Sequence, residues 1–294
     1  MKRWLILLLC LTGGAAQADI SVRDDAGNMV ILARPAQRVI SLAPHVTELL
    51  FAAGGGAKLV GADHYSDYPA AALGIPRVGD HHRIDLERLI ALKPDLLVVW
   101  LHGGAARQIE ALRQLGIPFF YSEPSTLADI PETLQRLGRL MGTEAVARKA
   151  ADGLSAELQR LGAQYRGRPP VRVFYQVWDQ PLYTLNDSSI VSDAIRLCGG
   201  ENIFGKLPLK APTVSVEAVL LENPEVLISG DRRNKTDRGL ENWKQYPSLM
   251  AVARANLLSV DADLMNRASP RIIAAAADLC EKLEQVRSRR RAQP

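Results

Sequence analysis

Side chains able to do covalent chemistry are sparse and unpatterned in this chain. It contains no G-x-S-x-G elbow, P-loop lysine motif, H-E-x-x-H, C-x-x-C or G-x-G-x-x-G. No activated nucleophile, phosphate cradle or zinc-protease helix is therefore encoded in a familiar form. Gly54, Gly55 and Gly56 follow an apolar helical run and read as its stop. The sequence does place rings in loops. Only 5% of the chain is Phe, Trp or Tyr, yet Tyr65, Tyr68, Trp100, Trp178 and Tyr183 all fall where predicted strands end. Tyr and Trp offer a large flat area with few rotors to freeze, which suits a broad planar ligand. The five histidines, His45, His64, His81, His82 and His102, all lie in the first half. No helical spacing links them, so the expectation is an imidazole touching a bound ligand, not a resident metal site. No catalytic residue and no resident cofactor are expected.

Such loops need a frame, and the hydrophobic pattern supplies one. RVISLAP, KLVGA, DLLVVW and IPFFYS are strand-like runs in the first half, separated by helical stretches at Thr47–Ala53, Asp85–Leu92, Ala105–Leu115 and Pro131–Met141. The second half alternates again: strands at Val171–Val177, EVLIS and Asn256–Val260, and helices at Ile190–Cys198 and Val216–Glu222. A weak helix around Asn242–Ala255 and a closing helix from Ser269-Pro270 to about Val286 complete it. Alternation of this kind predicts mostly parallel sheets covered by helices, with ligands at the carboxyl ends of the strands. The two halves also resemble each other. IDLERLIALKPDLLVVW and VSVEAVLLENPEVLISG share the order hydrophobe, acid, helix, Pro, strand, and Glu87 stands as far before Pro94 as Glu217 before Pro224.

Between the halves lies one long helical pattern, Thr143 to Arg166. Its apolar residues Val146, Ala150, Leu154, Leu158, Leu161 and Tyr165 share a face, Thr143 is the expected N-cap, and Gly167, Pro169 and Pro170 end it. At about 1.5 Å per residue this is a rod of roughly 35 Å. The expected fold is α/β: two three-layer lobes (19–142 and 168–294) with mostly parallel sheets, joined by one rigid helix (143–167), with a ligand cleft between the lobes.

Residues 1–18 have a different character. Lys2 and Arg3 precede the apolar run Trp4–Leu11, and Ala16-Gln17-Ala18 is an A-x-A cleavage site. Cleavage after Ala18 and export to the periplasm are expected. Export leaves Cys198 and Cys280 in an oxidising compartment, as a disulfide or as two buried thiols; the disulfide is the expectation. The whole chain has 36 basic and 32 acidic residues, and this small balance argues against a nucleic-acid partner. Arg287, Arg289, Arg290 and Arg291 read as a frayed, solvated helix end.

Four passages are more specific: YSDYP (Tyr65–Pro69), LERLIALKPDLLVVW (Leu86–Trp100), CGGENIF (Cys198–Phe204) and RASPRIIAAAADLC (Arg267–Cys280). Together they resemble the periplasmic cobalamin-binding proteins that serve ABC-type vitamin importers, and the resemblance runs from Arg38 to Val286. It implies a monomeric binding protein without enzyme activity that delivers cobalamin or a related corrinoid to an inner-membrane permease. It also implies that Tyr65 packs on the corrin and that Trp100 lines the cleft. Further contacts come from Asp263, Leu264, Met265, Asn266 and Arg267, and a disulfide joins Cys198 to Cys280. Glu87 and Glu217 match the acids that dock this family on permease arginines, one per lobe; a carboxylate in a first helical turn is also favoured by the dipole, by about 0.3–1 kcal/mol. A rigid connecting helix implies lobe motions of a few degrees.

The chain departs from the family pattern in the cleft. His81-His82 stand where a tryptophan is expected before I-D-L-E-R, and Leu264 and Met265 replace aromatics. Trp178 and Tyr183 are the rings available to compensate. The alternative reading is a haem or ferric-siderophore receptor of the same architecture. His81 is expected to approach the upper axial face of the cobalt. Aquocobalamin bound to the protein should then show a visible spectrum that His81→Ala alters; identical spectra would dispose of the ligation.

Overall fold

The computed structural model describes residues 19–80, 82–102, 106–231 and 239–292; the expected export signal and His81 lie outside them. The chain opens with an antiparallel hairpin, β1 (Ile20–Arg23) and β2 (Met29–Leu32). The first lobe continues through β3 (Val39–Ser41), α1 (Pro44–Ala52), β4 (Leu59–Ala62), α2 (Leu86–Ala91), β5 (Leu96–Trp100), α3 (Ala106–Arg113), β6 (Phe119–Ser122) and α4 (Asp129–Met141). Then comes α5 (Glu144–Tyr165). The second lobe holds β7 (Val171–Gln176), a small hairpin of β8 (Trp178–Asp179) and β9 (Leu182–Tyr183), α6 (Ile190–Leu197), β10 (Gly200–Asn202), α7 (Val216–Glu222) and β11 (Val226–Asp231). It ends with α8 (Met250–Ala253), β12 (Leu257–Asp261), α9 (Ala262–Met265) and α10 (Arg271–Ala292).

The two principal sheets are wound alike. One has the order β4-β3-β5-β6 and the other β10-β7-β11-β12, and every pairing in both is parallel. In each, the lobe's second principal strand lies outside its first, followed by the third and fourth. Parallel strands covered on both faces must be apolar on both faces, and β5 shows it. Leu96 and Val98 pack into one hydrophobic cluster with α1 and α4, while Leu97 and Val99 pack into another with Leu89 of α2 and Leu112 of α3. The second sheet repeats this, with Val226 and Ile228 in the cluster of α6 and α10, and Leu227 facing Val219 of α7 and Trp243. The expected three-layer lobes are present.

The likeness extends to single residues. Asp85 and Ser215 cap α2 and α7 by accepting from the backbone N–H of Arg88 and Ala218. Lys93 and Asn223, one position before the matched prolines, both adopt positive φ, 46° and 45°. The arginine that precedes or opens the first principal strand reaches the end of that helix in each lobe. Arg38 donates to the carbonyls of Leu92 and Lys93, and Arg172 donates to the carbonyl and carboxylate of Glu222.

Four expectations need correction. Along α5 the buried row is Ala147, Ala151, Leu161 and Tyr165, and Val146 is 53% exposed. The reason is the crossing with α4. A side chain at Gly138 would sit 2.4 Å from the Ala147 Cβ, so the helices meet on small residues and turn Val146 outward. Thr143 does not cap α5; its Oγ1 donates to the Ala53 carbonyl at 2.6 Å, closing the end of α1. The basic end of α10 is not frayed. Arg287 is 3% exposed and donates to the carbonyls of Pro169, Cys198 and Gly199, while Arg290 pairs with Glu225 and Arg289 reaches Ala255 and Asn256. Carbonyls left open where α6 and α5 end attract these donors. The expected weak helix at Asn242–Ala255 is a 3-10 turn, Glu241–Gln245, and the short α8.

Cys198 and Cys280 form a disulfide that ties the end of α6 to α10 across a sequence separation of 82. A cross-link over a loop of that length restricts the unfolded chain by about 4 kcal/mol in the entropic limit. The double variant Cys198→Ser/Cys280→Ser should lose a large part of that in urea unfolding, and added reductant should change it no further. A midpoint equal to the parent's would contradict the stabilising role.

Candidate functional site

The loops at the carboxyl ends of both sheets meet each other, and charge joins them. Glu48, on the second turn of α1, is 3% exposed. Its carboxylate accepts from Arg267 Nη1 at 3.1 Å, Ser269 Oγ at 2.6 Å, Arg271 Nε at 2.8 Å and Arg271 Nη2. Every one of those donors belongs to the second lobe. A buried carboxylate is tolerable only when its lone pairs are filled in this way. Arg267 also donates to Asp67 at 2.5 Å and meets Asp263 at 3.5 Å. The Arg271 guanidinium lies 4.0 Å from the centre of the Tyr68 ring, a cation–π contact. Burial works against the Asp67 charge, but the hydrogen bond and charge of Arg267 hold its carboxyl below the ordinary carboxylate range.

A second contact between the lobes is made by Glu123, just beyond β6. It accepts from Lys210 of the second lobe, and His102 Nδ1 lies 3.4 Å from its other oxygen. Burial opposes this charge too; Lys210 and then His102 outweigh it and lower the carboxyl's pKa.

The rings stand on well-held supports. A run of buried hydroxyls, Ser41, Thr47 and Ser66, each 2.7 Å from the next, fixes the loop after β4 to α1. That loop carries Tyr65, 52% exposed, whose backbone N–H donates to Asp63 and whose ring meets His64 edge-on. Trp100 ends β5, 36% exposed, and the His45 ring stands against it edge-on at 5.9 Å. His45 is almost wholly buried at the start of α1. Burial brings its pKa down to about 4, although Glu123, the Ser122 backbone and Glu48 pull the other way. At neutral pH it is an uncharged imidazole. In the second lobe, Trp178 and Tyr183 face each other across the β8–β9 hairpin, both half-buried, and the Trp178 indole donates to the Gln180 carbonyl.

The segment after β12 divides its roles. Asp261 caps α9, Asp263 is exposed and Leu264 is half-buried. Met265 is wholly buried, because one turn of α9 points Ala262 and Met265 together into the core, so its side chain is not on the surface that Asp263 and Leu264 share. Asn266 accepts from the Tyr175 hydroxyl at 2.8 Å. Arg267 is engaged by Glu48 and Asp67 across the lobes. Glu87 and Glu217 lie exposed in the first turns of α2 and α7. Reasoning from sequence missed Glu48, Asp67, Glu123, Lys210 and Arg271, and it did not separate His45 from the other histidines. A usable signal was Glu48 itself, an acid followed directly by the apolar run Leu49–Ala53 in a helix that must be buried. Among the described residues no group of three or more His, Cys, Asp or Glu is placed to hold a metal ion.

Residues 39–264 match the family model of periplasmic binding proteins. The chain is 38% identical over 257 residues to the vitamin B12-binding protein of Vibrio parahaemolyticus, covering 87% of this chain and 92% of that one. The crystal structure of the periplasmic vitamin B12-binding protein BtuF of Vibrio cholerae superposes with a TM-score of 0.79 at 37% identity, over 86% of this chain and 98% of that one. The periplasmic heme-binding protein RhuT of Roseiflexus shares the fold, with a TM-score of 0.74 at 21% identity over 85% of this chain and 99% of that one. The chain belongs to the periplasmic binding protein family.

His45 has a consequence for acid stability. Its folded pKa lies below the ordinary value, so the unfolded chain takes up the proton more readily. Stability is complete above about pH 6.5 and falls as pH drops toward about 4. A depression of this size corresponds to about 3 kcal/mol. Asp67 and Glu123, with lowered pKa values, keep their contributions through the upper part of this window and begin to lose them only at its acid end, as pH falls into the ordinary carboxylate range. Urea unfolding between pH 7 and 5, above the carboxylate range, should show most of the loss, and His45→Gln should flatten it. An equal slope in the variant would refute the assignment to His45.

Proposed function

We propose that this periplasmic binding protein captures cobalamin or a related corrinoid in the cleft between its lobes and delivers it to the permease of an ABC importer. The observation that carries this reading is 38% identity with a vitamin B12-binding protein over 92% of that protein's length. The chemistry of the cleft loops supports it. Tyr65 and Trp100 from one lobe, and Trp178 and Tyr183 from the other, offer apolar faces for a macrocycle. Asp263, Asn266 and Leu264 bring polar and apolar groups to one segment, suited to the amide-bearing rim of a corrin. Arg267 serves this site by holding Asp67 and Asp263 as well as by its own donors.

In this reading the protein is exported by a signal cleaved after Ala18 and acts as a monomer. Glu87 and Glu217 meet permease cations. Neither enters an ion pair with another described residue. The Glu217 carboxyl is held below its usual range by a hydrogen bond to its own backbone N–H and by Ser215. The haem reading rests on likeness of fold alone. Native mass spectrometry of the protein purified from a cobalamin-supplied periplasm should show one corrinoid per chain. A clean apo mass, or bound haem in its place, would overturn the proposal.

A further inference from the structure

The helices that carry Glu87 and Glu217 also expose aliphatic side chains that the fold does not use. On α2, Ile90 is 47% exposed, and on α7, Leu221 is 86% exposed. Ile90 stands three residues beyond Glu87 and Leu221 four beyond Glu217. Both spacings place the aliphatic group beside the carboxylate on one helix face, with β-carbons about 5–6 Å apart. The buried side of each helix is already occupied, by Leu89 and Val219, each 0% exposed.

A lone surface leucine calls for no explanation. Here an acid with an exposed aliphatic neighbour occurs on both helices, which occupy the same place in the two sheets; the acids match in register, and the aliphatic neighbour is one turn on in each, at the third position after Glu87 and the fourth after Glu217. Both helices are capped at the same position, by Asp85 and Ser215, and held at their ends by Arg38 and Arg172. Each pair is thus presented on a short, fixed platform. Two like patches on one chain, built on matched helices and matched acids, are met most simply by a partner that shows one surface twice. An exposed carboxylate without an ion-pair partner asks that surface for a cation. The aliphatic group beside it asks for an apolar recess.

We infer that Ile90 and Leu221 are the apolar halves of two like docking patches, covered by the two like subunits of the importer's permease, with Glu87 and Glu217 as the charged halves. The inference rests on the docking reading given above and adds the interaction that gives the complex its persistence. Exposed charge pairs steer association and are screened by salt, whereas burial of an aliphatic side chain is not. Burying one leucine or isoleucine is worth about a tenfold change in affinity or more.

The test uses the full chain and the cognate importer reconstituted in nanodiscs, with complex affinity measured across a salt series. Ile90→Ser and Leu221→Ser should each weaken the complex by about tenfold, with an unchanged salt slope. Glu87→Gln and Glu217→Gln should reduce the salt slope. Thermal unfolding and cyanocobalamin titration of each free variant, expected to match the parent, exclude misfolding. Should a serine variant unfold, Ile90→Gln or Leu221→Gln replaces it. Full affinity in both aliphatic variants, with weakening in the glutamine variants at 87 and 217, would overturn this inference and leave the docking reading standing. An effect at only one aliphatic position would overturn its two-fold form. No effect from any of the four would overturn both.

Discussion

Glu48 is the point at which two lobes become one object. Its charge lies in the interior, and the hydrogen bonds that make this tolerable come from Arg267, Ser269 and Arg271 of the other lobe. Removing one side of such an arrangement typically costs about 3–5 kcal/mol, because the other charges are left buried and unpaired. The arrangement is therefore not a loose rim contact. It fixes how α1 faces the start of α10, and with them the distance between the loops that carry Tyr65 and those after β12. The hydroxyl run Ser41–Thr47–Ser66 extends the same constraint from α1 into the Tyr65 loop.

The rest of the architecture keeps the lobes in register with that point. The same strand order used twice puts the carboxyl ends of both sheets toward each other, and α5 spans the gap by packing on small residues. The approach of Gly138 to Ala147 leaves no room for a side chain, so α4 and α5 behave as one angled bar. At the far end, the disulfide and Arg287 bind α6, α10 and the start of β7 together.

Features set by local pattern were legible in the sequence. The buried strands read as continuous apolar runs, Asp85 declared the start of α2, and the likeness between the segments around Glu87 and Glu217 was visible residue by residue. Features set by long-range partners were not. Glu48 lies 219 to 223 residues from its donors, and no periodicity links positions so far apart. Helical spacing located a face on α5 but could not tell which neighbouring row the small residues of α4 would select, so Val146 was placed inside and Ala147 overlooked. The arginines at the end of α10 looked solvated because the carbonyls they serve belong to other elements. Met265 looked available because a single turn of helix is too short to declare its inward side.

Two charge clusters join the lobes, one at Glu48 and one at Glu123. Glu123 with Lys210 and Glu48 with Arg267 and Arg271 satisfy their charges on one another, while the rings of Tyr65 and Trp100 stay exposed at 52% and 36%. His45 feels the charge of both carboxylates yet remains uncharged at neutral pH, because burial outweighs their pull. A charged imidazole there would draw water toward the indole. Opening the lobes widely would strip the donors from Glu48 and expose a carboxylate that the fold has arranged to bury.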